Sequence, residues 1–175
     1  MIRSRWGLVA LPTLDAWLRV ACAAAGLLAL LRLARWQLWA CHGRPDLLCL
    51  GAGYAWLGIG WLAVGTAPAG TLRTAALHLI TIGALGTLTL NVMASTLLLR
   101  LRRSAAREGI LVVVTVLVGS AAILRVAAAL AASHATLLLL AAAACWSAAC
   151  LVSLWLIGRC ARAVAKRLPR AHEPA

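Results

Sequence analysis

The sequence predicts an all-α polytopic membrane bundle of about five transmembrane helices, and three observations carry that prediction. Of 175 residues, 64% are apolar and only 12% charged, whereas soluble domains run near half and a quarter. The apolar residues fall into long runs, each close to the ~20 residues a helix needs to cross a bilayer. The 17 Lys and Arg, against 4 Asp and Glu, give a net charge of +13, and they lie mostly between those runs. Positive residues placed this way orient a multi-span chain. A disordered chain is excluded, because so much apolar surface collapses. The basic balance is thereby accounted for without nucleic acid, and the partner it implies is the lipid bilayer.

The whole chain, 1–175, reads as a single membrane domain. The first span, 14–33, is the least regular, because Asp15, Arg19 and Arg32 flank or enter it. Arg3 and Arg5 before a short apolar stretch resemble a signal peptide. Pro12 and Asp15 interrupt that stretch before any small-residue cleavage site, so none is predicted. The second span, 47–66, lies between Arg44-Pro45-Asp46 and the turn Gly65-Thr66-Ala67-Pro68-Ala69-Gly70. The third, 75–99, is long enough to cross with some tilt. The fourth, 110–132, and the fifth, 136–157, are separated by so short a loop that they form an antiparallel hairpin. A basic tail, 158–175, follows.

Topology is read from the arginines. Arg32, Arg35, Arg44, Arg100, Arg102, Arg103, Arg107, Arg159, Arg162, Lys166, Arg167 and Arg170 fall on one side; Arg3, Arg5, Arg73 and Arg19 fall on the other. The richer side is cytoplasmic, which puts the N-terminus outside and the C-terminus inside. Attraction to anionic lipid explains the tail better than a specific ligand does. The eight Trp favour membrane–water interfaces. Cys22, Cys41, Cys49, Cys145, Cys150 and Cys160 form no Cys-x-x-Cys pair and read as small buried hydrophobes.

The third span carries the chemistry. At 100° per residue, His78, Thr81, Leu85, Thr89 and Thr96 share one face, and Gly83, Thr87, Asn91 and Ala94 share the opposite one. Small and polar residues mark helix–helix contacts in membranes, so this helix is expected at the bundle centre, covered on both faces. Gly83-x-x-Gly86 reads as a packing device, since no strand precedes it.

His78 is the one histidine inside a span, because His42, His134 and His172 fall in loops or the tail. Neutral imidazole suits haem iron or copper. The alternative is a core histidine satisfied by a Thr hydroxyl or a backbone carbonyl. Arg125 lies well inside the fourth span, where an unpaired guanidinium is costly. It lies at a depth similar to His78, and it must snorkel outward, bond to carbonyls, or meet an anion such as a haem propionate. No nucleophile–base pair, phosphate loop or paired carboxylates are present, so an enzyme is not indicated and no catalytic residue is assigned.

The run Ala76-Leu77-His78-Leu79-Ile80-Thr81-Ile82-Gly83-Ala84-Leu85-Gly86-Thr87-Leu88-Thr89-Leu90-Asn91-Val92-Met93 resembles the signature helix of the NnrS family. Arg32-Leu33-Ala34-Arg35-Trp36, Gly53-Tyr54-Ala55-Trp56-Leu57, Ala121-Ala122-Ile123-Leu124-Arg125 and Cys145-Trp146-Ser147-Ala148 match it in the same order. Family members are larger bacterial inner-membrane proteins containing haem and copper, linked to nitric oxide metabolism and nitrosative stress. The resemblance is to their C-terminal half.

Two departures stand out. Gly51 occupies a position where the family carries a histidine, and Leu99-Arg100-Leu101-Arg102 replaces a Gly-His-Thr-Gly stretch. Both missing histidines would lie toward the cytoplasmic ends of their helices, far from His78 along the membrane normal. The resemblance thus implies a surviving outer-side haem site, with His78 as axial ligand and metal-binding residue and Arg125 at a propionate. Tyr54 and Asn91 would be supporting polar groups, and copper is in doubt. Two other readings stay open. One is a metal-free subunit packing against a second membrane protein or a further copy of itself; the other is a transporter-like half working as a dimer, for which no paired broken helices are seen.

Overall fold

The computed structural model describes residues 6–41, 43–101 and 109–165. Arg3, Arg5, His42, Arg102, Arg103, Arg107, Lys166, Arg167, Arg170 and His172 lie outside them. Five long helices account for nearly all of it, and among the described residues there is no strand. They are α1 (Trp6–Arg35), α2 (Pro45–Thr66), α3 (Thr71–Arg100), α4 (Ile110–Leu130) and α5 (Ala135–Ala165). Each contains a stretch long and apolar enough to cross a membrane. The protein is a multi-pass membrane bundle.

Short connections fix the order of packing. A 3₁₀ turn at Leu38–Cys41 precedes α2, whose first turn is started by Pro45. Proline suits that position, because its missing N–H has no helical partner there. Another 3₁₀ turn, Ala132–His134, joins α4 to α5 and folds them into a closely packed hairpin. The helix α1 packs mainly on α2 and touches the start of α3 through Cys22 and Asp15, α3 runs between α2 and α4, and α5 packs on α4 and the last turns of α3.

The α1–α2 contact is backbone against backbone. A Cβ at Gly65 would come within 2.6 Å of both the Ala23 nitrogen and the Arg19 carbonyl oxygen. Only glycine allows that approach, and small residues are how membrane helices gain van der Waals contact where lipid offers no hydrophobic drive. Large apolar side chains such as Leu27, Leu28, Leu137, Leu140 and Leu151 point outward. They match the surface to hydrocarbon.

Helix α3 departs from the expectation of two covered faces. It is continuous, but its middle, Leu79–Gly86, is π-helical between α-helical Thr71–His78 and Thr87–Arg100. Hydrogen bonds to the fifth residue widen each turn, so a face projected at 100° per residue does not hold across this stretch. Gly83, Ala84, Gly86, Thr87, Asn91, Ala94 and Leu98 are buried, whereas Thr81, Leu85, Thr89 and Thr96 are exposed. The helix is central in having α2 and α4 as neighbours, yet one of its faces looks out of the bundle.

The two glycines of the π-helical stretch receive tryptophans. Gly83 packs against the Trp56 ring of α2, which also reaches Gly119 of α4, and Gly86 packs against the Trp146 ring of α5. These indoles sit between helices rather than in the interfacial belt expected of tryptophan. The Gly-x-x-Gly pair is therefore a seat for two rings. Among the cysteines, Cys22, Cys49 and Cys160 are buried, Cys41, Cys145 and Cys150 are half-buried, and all are free thiols.

Candidate functional site

Alternating helix directions bring the start of α3, the end of α4 and the start of α5 to one end of the bundle. Between them lies a pocket of about 210 Å³ lined by Thr71, Thr74, Ala75, His78, Arg125, Ala128, Ala129 and Leu139. Thr71, Thr74, Ala75 and His78 recur at three- and four-residue spacing, which sets them on one face of the first α3 turns. Arg125, Ala128 and Ala129 do the same on α4. The two residues that the sequence marks as out of place in a membrane thus meet in one cavity.

Both are free to act there. Thr74 Oγ1 donates to the Gly70 carbonyl at 3.3 Å, so its proton is committed. The half-buried His78 and Arg125 have no hydrogen-bond or ion-pair partner among the described residues. The alternative of a core histidine satisfied by a hydroxyl or carbonyl is therefore not met among those residues. Arg125 stands about 8 Å from the end of α4, taking 1.5 Å per residue to Leu130.

Tyr54 and Asn91 are elsewhere. Tyr54 stacks with Trp36, ring centroids 5.0 Å apart, at the α1–α2 contact toward the opposite end. Asn91 is almost wholly buried at mid-bundle. Its Nδ2 donates to the Thr87 carbonyl and to Thr115 Oγ1, both at 2.9 Å. Asn91 therefore ties α3 to α4 and does not support His78. Thr87 Oγ1, Asn91 Oδ1 and Ser95 Oγ are buried without a partner among the described residues.

Sequence reasoning missed Thr71 and Thr74, whose spacing ahead of His78 was the available signal. It also missed Thr115 as the partner of Asn91, for which a single sequence carries no signal, since pairing across helices is a matter of packing. Among the described residues no three His, Cys, Asp or Glu side chains gather as a metal-binding group.

At the opposite end, a Cβ at Gly51 would overlap the Leu38 side chain. Close by, Cys49, Ala94, Leu98, Leu101, Leu111, Leu156 and Cys160 form an apolar cluster. Gly51 thus faces packed hydrocarbon, as does Leu101, whereas Leu99 and Arg100 are exposed. The NnrS protein family matches the chain over residues 4–163. No curated protein and no solved structure matches it.

Proposed function

This chain belongs to the NnrS family, and on that footing we propose a haem-associated role in nitric oxide and nitrosative-stress physiology, centred on the His78–Arg125 pocket. The observation that carries this reading is that an imidazole and a guanidinium from two different helices, both without partners among the described residues, line one cavity. The donor chemistry would suit haem: His78 would offer a nitrogen to the iron, and Arg125 would offer a bidentate fork to a carboxylate. Haem held there would supply an iron that binds a diatomic gas. The chain's own part is to orient His78 on the first α3 turns, hold a carboxylate at Arg125, and keep water out with Ala128, Ala129 and Leu139. No catalytic step is assigned.

The membrane we propose is the bacterial cytoplasmic membrane, with the pocket on the outer side. Arg32, Arg35, Arg44, Arg100, Arg159 and Arg162 stand at the end opposite His78 and Arg125, which the positive-inside rule assigns to the cytoplasm. Purified protein reconstituted with haem is expected to show a Soret band that His78→Ala loses. Wild-type protein that stays blank after reconstitution overturns the reading.

One observation favours a metal-free alternative. The pocket's 210 Å³ falls below the ~300–1,000 Å³ of ordinary ligand pockets. In that reading the chain is a packing subunit, in a homo-oligomer or beside a second membrane protein, and the blank spectrum is its signature.

A further inference from the structure

We propose that the pocket between α3 and α4 is an oxyanion site in its own right, and that it takes a phosphate monoanion, either carried on a membrane lipid or free. The inference rests on the pocket's donors and not on haem. Propionate and phosphate ask for the same donors, so the two compete.

The first argument is charge balance. A guanidinium within a membrane span is costly unless something compensates it, and no carboxylate lines the pocket. The described carboxylates are both engaged elsewhere. Asp15 accepts from Arg73 Nη1 and Nη2 at 2.9 and 3.5 Å, and Asp46 accepts from Arg44 Nε and Nη2 at 3.1 and 2.9 Å. Arg19, the remaining described arginine at this end, donates to the Gly65 and Thr66 carbonyls. Each neighbouring arginine has found its acceptor within the described chain, and Arg125 has not. An anion from outside supplies what the protein lacks.

The second argument is the shape of the donor set. Arg125 presents a planar fork of N–H groups, His78 a ring N–H, and Thr71 a hydroxyl with no partner among the described residues. These come from two helices, and therefore from different directions. A tetrahedral phosphate offers oxygens to all of them, whereas a carboxylate offers two oxygens in one plane. Ala75, Ala128, Ala129 and Leu139 complete the wall with apolar surface, which suits an ester arm leading to acyl chains. A cavity of 210 Å³ accepts a headgroup of this kind more readily than a macrocycle.

The test uses haem-free protein in a neutral detergent, with thermal unfolding followed as ligand is added. Inorganic phosphate and dioleoylphosphatidylglycerol are titrated separately, with chloride at matched ionic strength as the control. Wild-type protein is expected to be stabilised by one or both phosphate probes and not by chloride. Stabilisation by the lipid alone identifies a headgroup site, and equal stabilisation by phosphate identifies a free-ion site. Arg125→Gln is expected to weaken the apparent affinity about tenfold or more, the scale of a hydrogen bond to a charged group. Arg125→Lys, which keeps the charge and loses the fork, falls between them, and Arg35→Gln at the far end leaves the affinity unchanged.

No stabilisation of wild type, equal affinity in Arg125→Gln, or an equal loss in Arg35→Gln each overturns the inference. If Arg125→Gln fails to fold, the comparison of wild type with Arg125→Lys and His78→Ala carries the test, and affinities equal to wild type in both overturn it. A Soret band with no phosphate effect sinks this inference and leaves the haem reading standing. A phosphate effect with a blank spectrum does the reverse.

Discussion

At one end of the bundle, where α2 and α4 begin, Leu38 fills the space over Gly51 and seven buried residues close the gap between four helices. At the other end, where α3 and α5 begin, the helices leave a pocket, and His78 and Arg125 line it without a described partner. Both ends are made of membrane-spanning helices with arginines near their tips. They differ in whether the polar groups are satisfied. Arg73 is held by Asp15 and Arg19 by two backbone carbonyls, so among the described arginines at the pocket end two serve the fold, while Arg125 has no partner there. In this protein, an arginine's role is read from its acceptors rather than from its depth.

The largest effect that sharpens this contrast is expected at the closed end. Leu98 is fully buried there, and Leu98→Ala removes packing that the neighbours cannot wholly refill. The loss is expected to be about 2 kcal/mol, the low end for buried leucine, because lipid is as apolar as the core it replaces. Unfolding in detergent would measure it, while phosphate affinity at the pocket stays as in wild type. A parallel loss of affinity would mean that the two ends are not independent.

Next in size is the link between the ends. Thr115→Val removes the acceptor of the Asn91 amide, and membrane hydrogen bonds of this kind average about 0.6 kcal/mol. A double-mutant cycle with Asn91→Ala is expected to return a coupling of that order, and a coupling of zero would show that Asn91 is held by the Thr87 carbonyl alone. The smallest effect belongs to Asp15→Asn. The Asp15–Arg73 pair is at the bundle rim with Asp15 half exposed, and exposed pairs contribute little. The midpoint of unfolding should fall slightly and the fall should shrink with added salt. A drop exceeding that of Leu98→Ala would show that Arg73, whose Nε is buried without a partner among the described residues, depends on Asp15 far more than its exposure implies.

Much of the site was legible in the chain, in pieces. His78 and Arg125 stand out because ionisable groups are rare in spans, and counting helix rise from each end places them at similar depth. Depth is a coordinate along one helix, whereas meeting in a pocket needs the lateral packing of α3 on α4. Tyr54 and Asn91 show the cost of that gap: both are polar, both are in spans, and neither reaches the pocket. Thr81, Leu85, Thr89 and Thr96 show another. Their shared face assumed one helical period throughout, and the π-helical stretch between Leu79 and Gly86 changes the period where it matters.

By itself the sequence determined the membrane class, the helix count, the hairpin of α4 and α5, and the separation of arginines toward one end. These follow from local composition, because hydrocarbon thickness sets how many apolar residues a span needs and loop length sets which helices can be neighbours. The tertiary structure alone decided the depth of the α1–α2 contact, the seats for Trp56 and Trp146, the filling of the closed end, and the acceptors that Arg19 and Arg73 find. Those depend on distances between helices. Among them, only the packed bundle leaves Arg125 facing a cavity rather than a carboxylate.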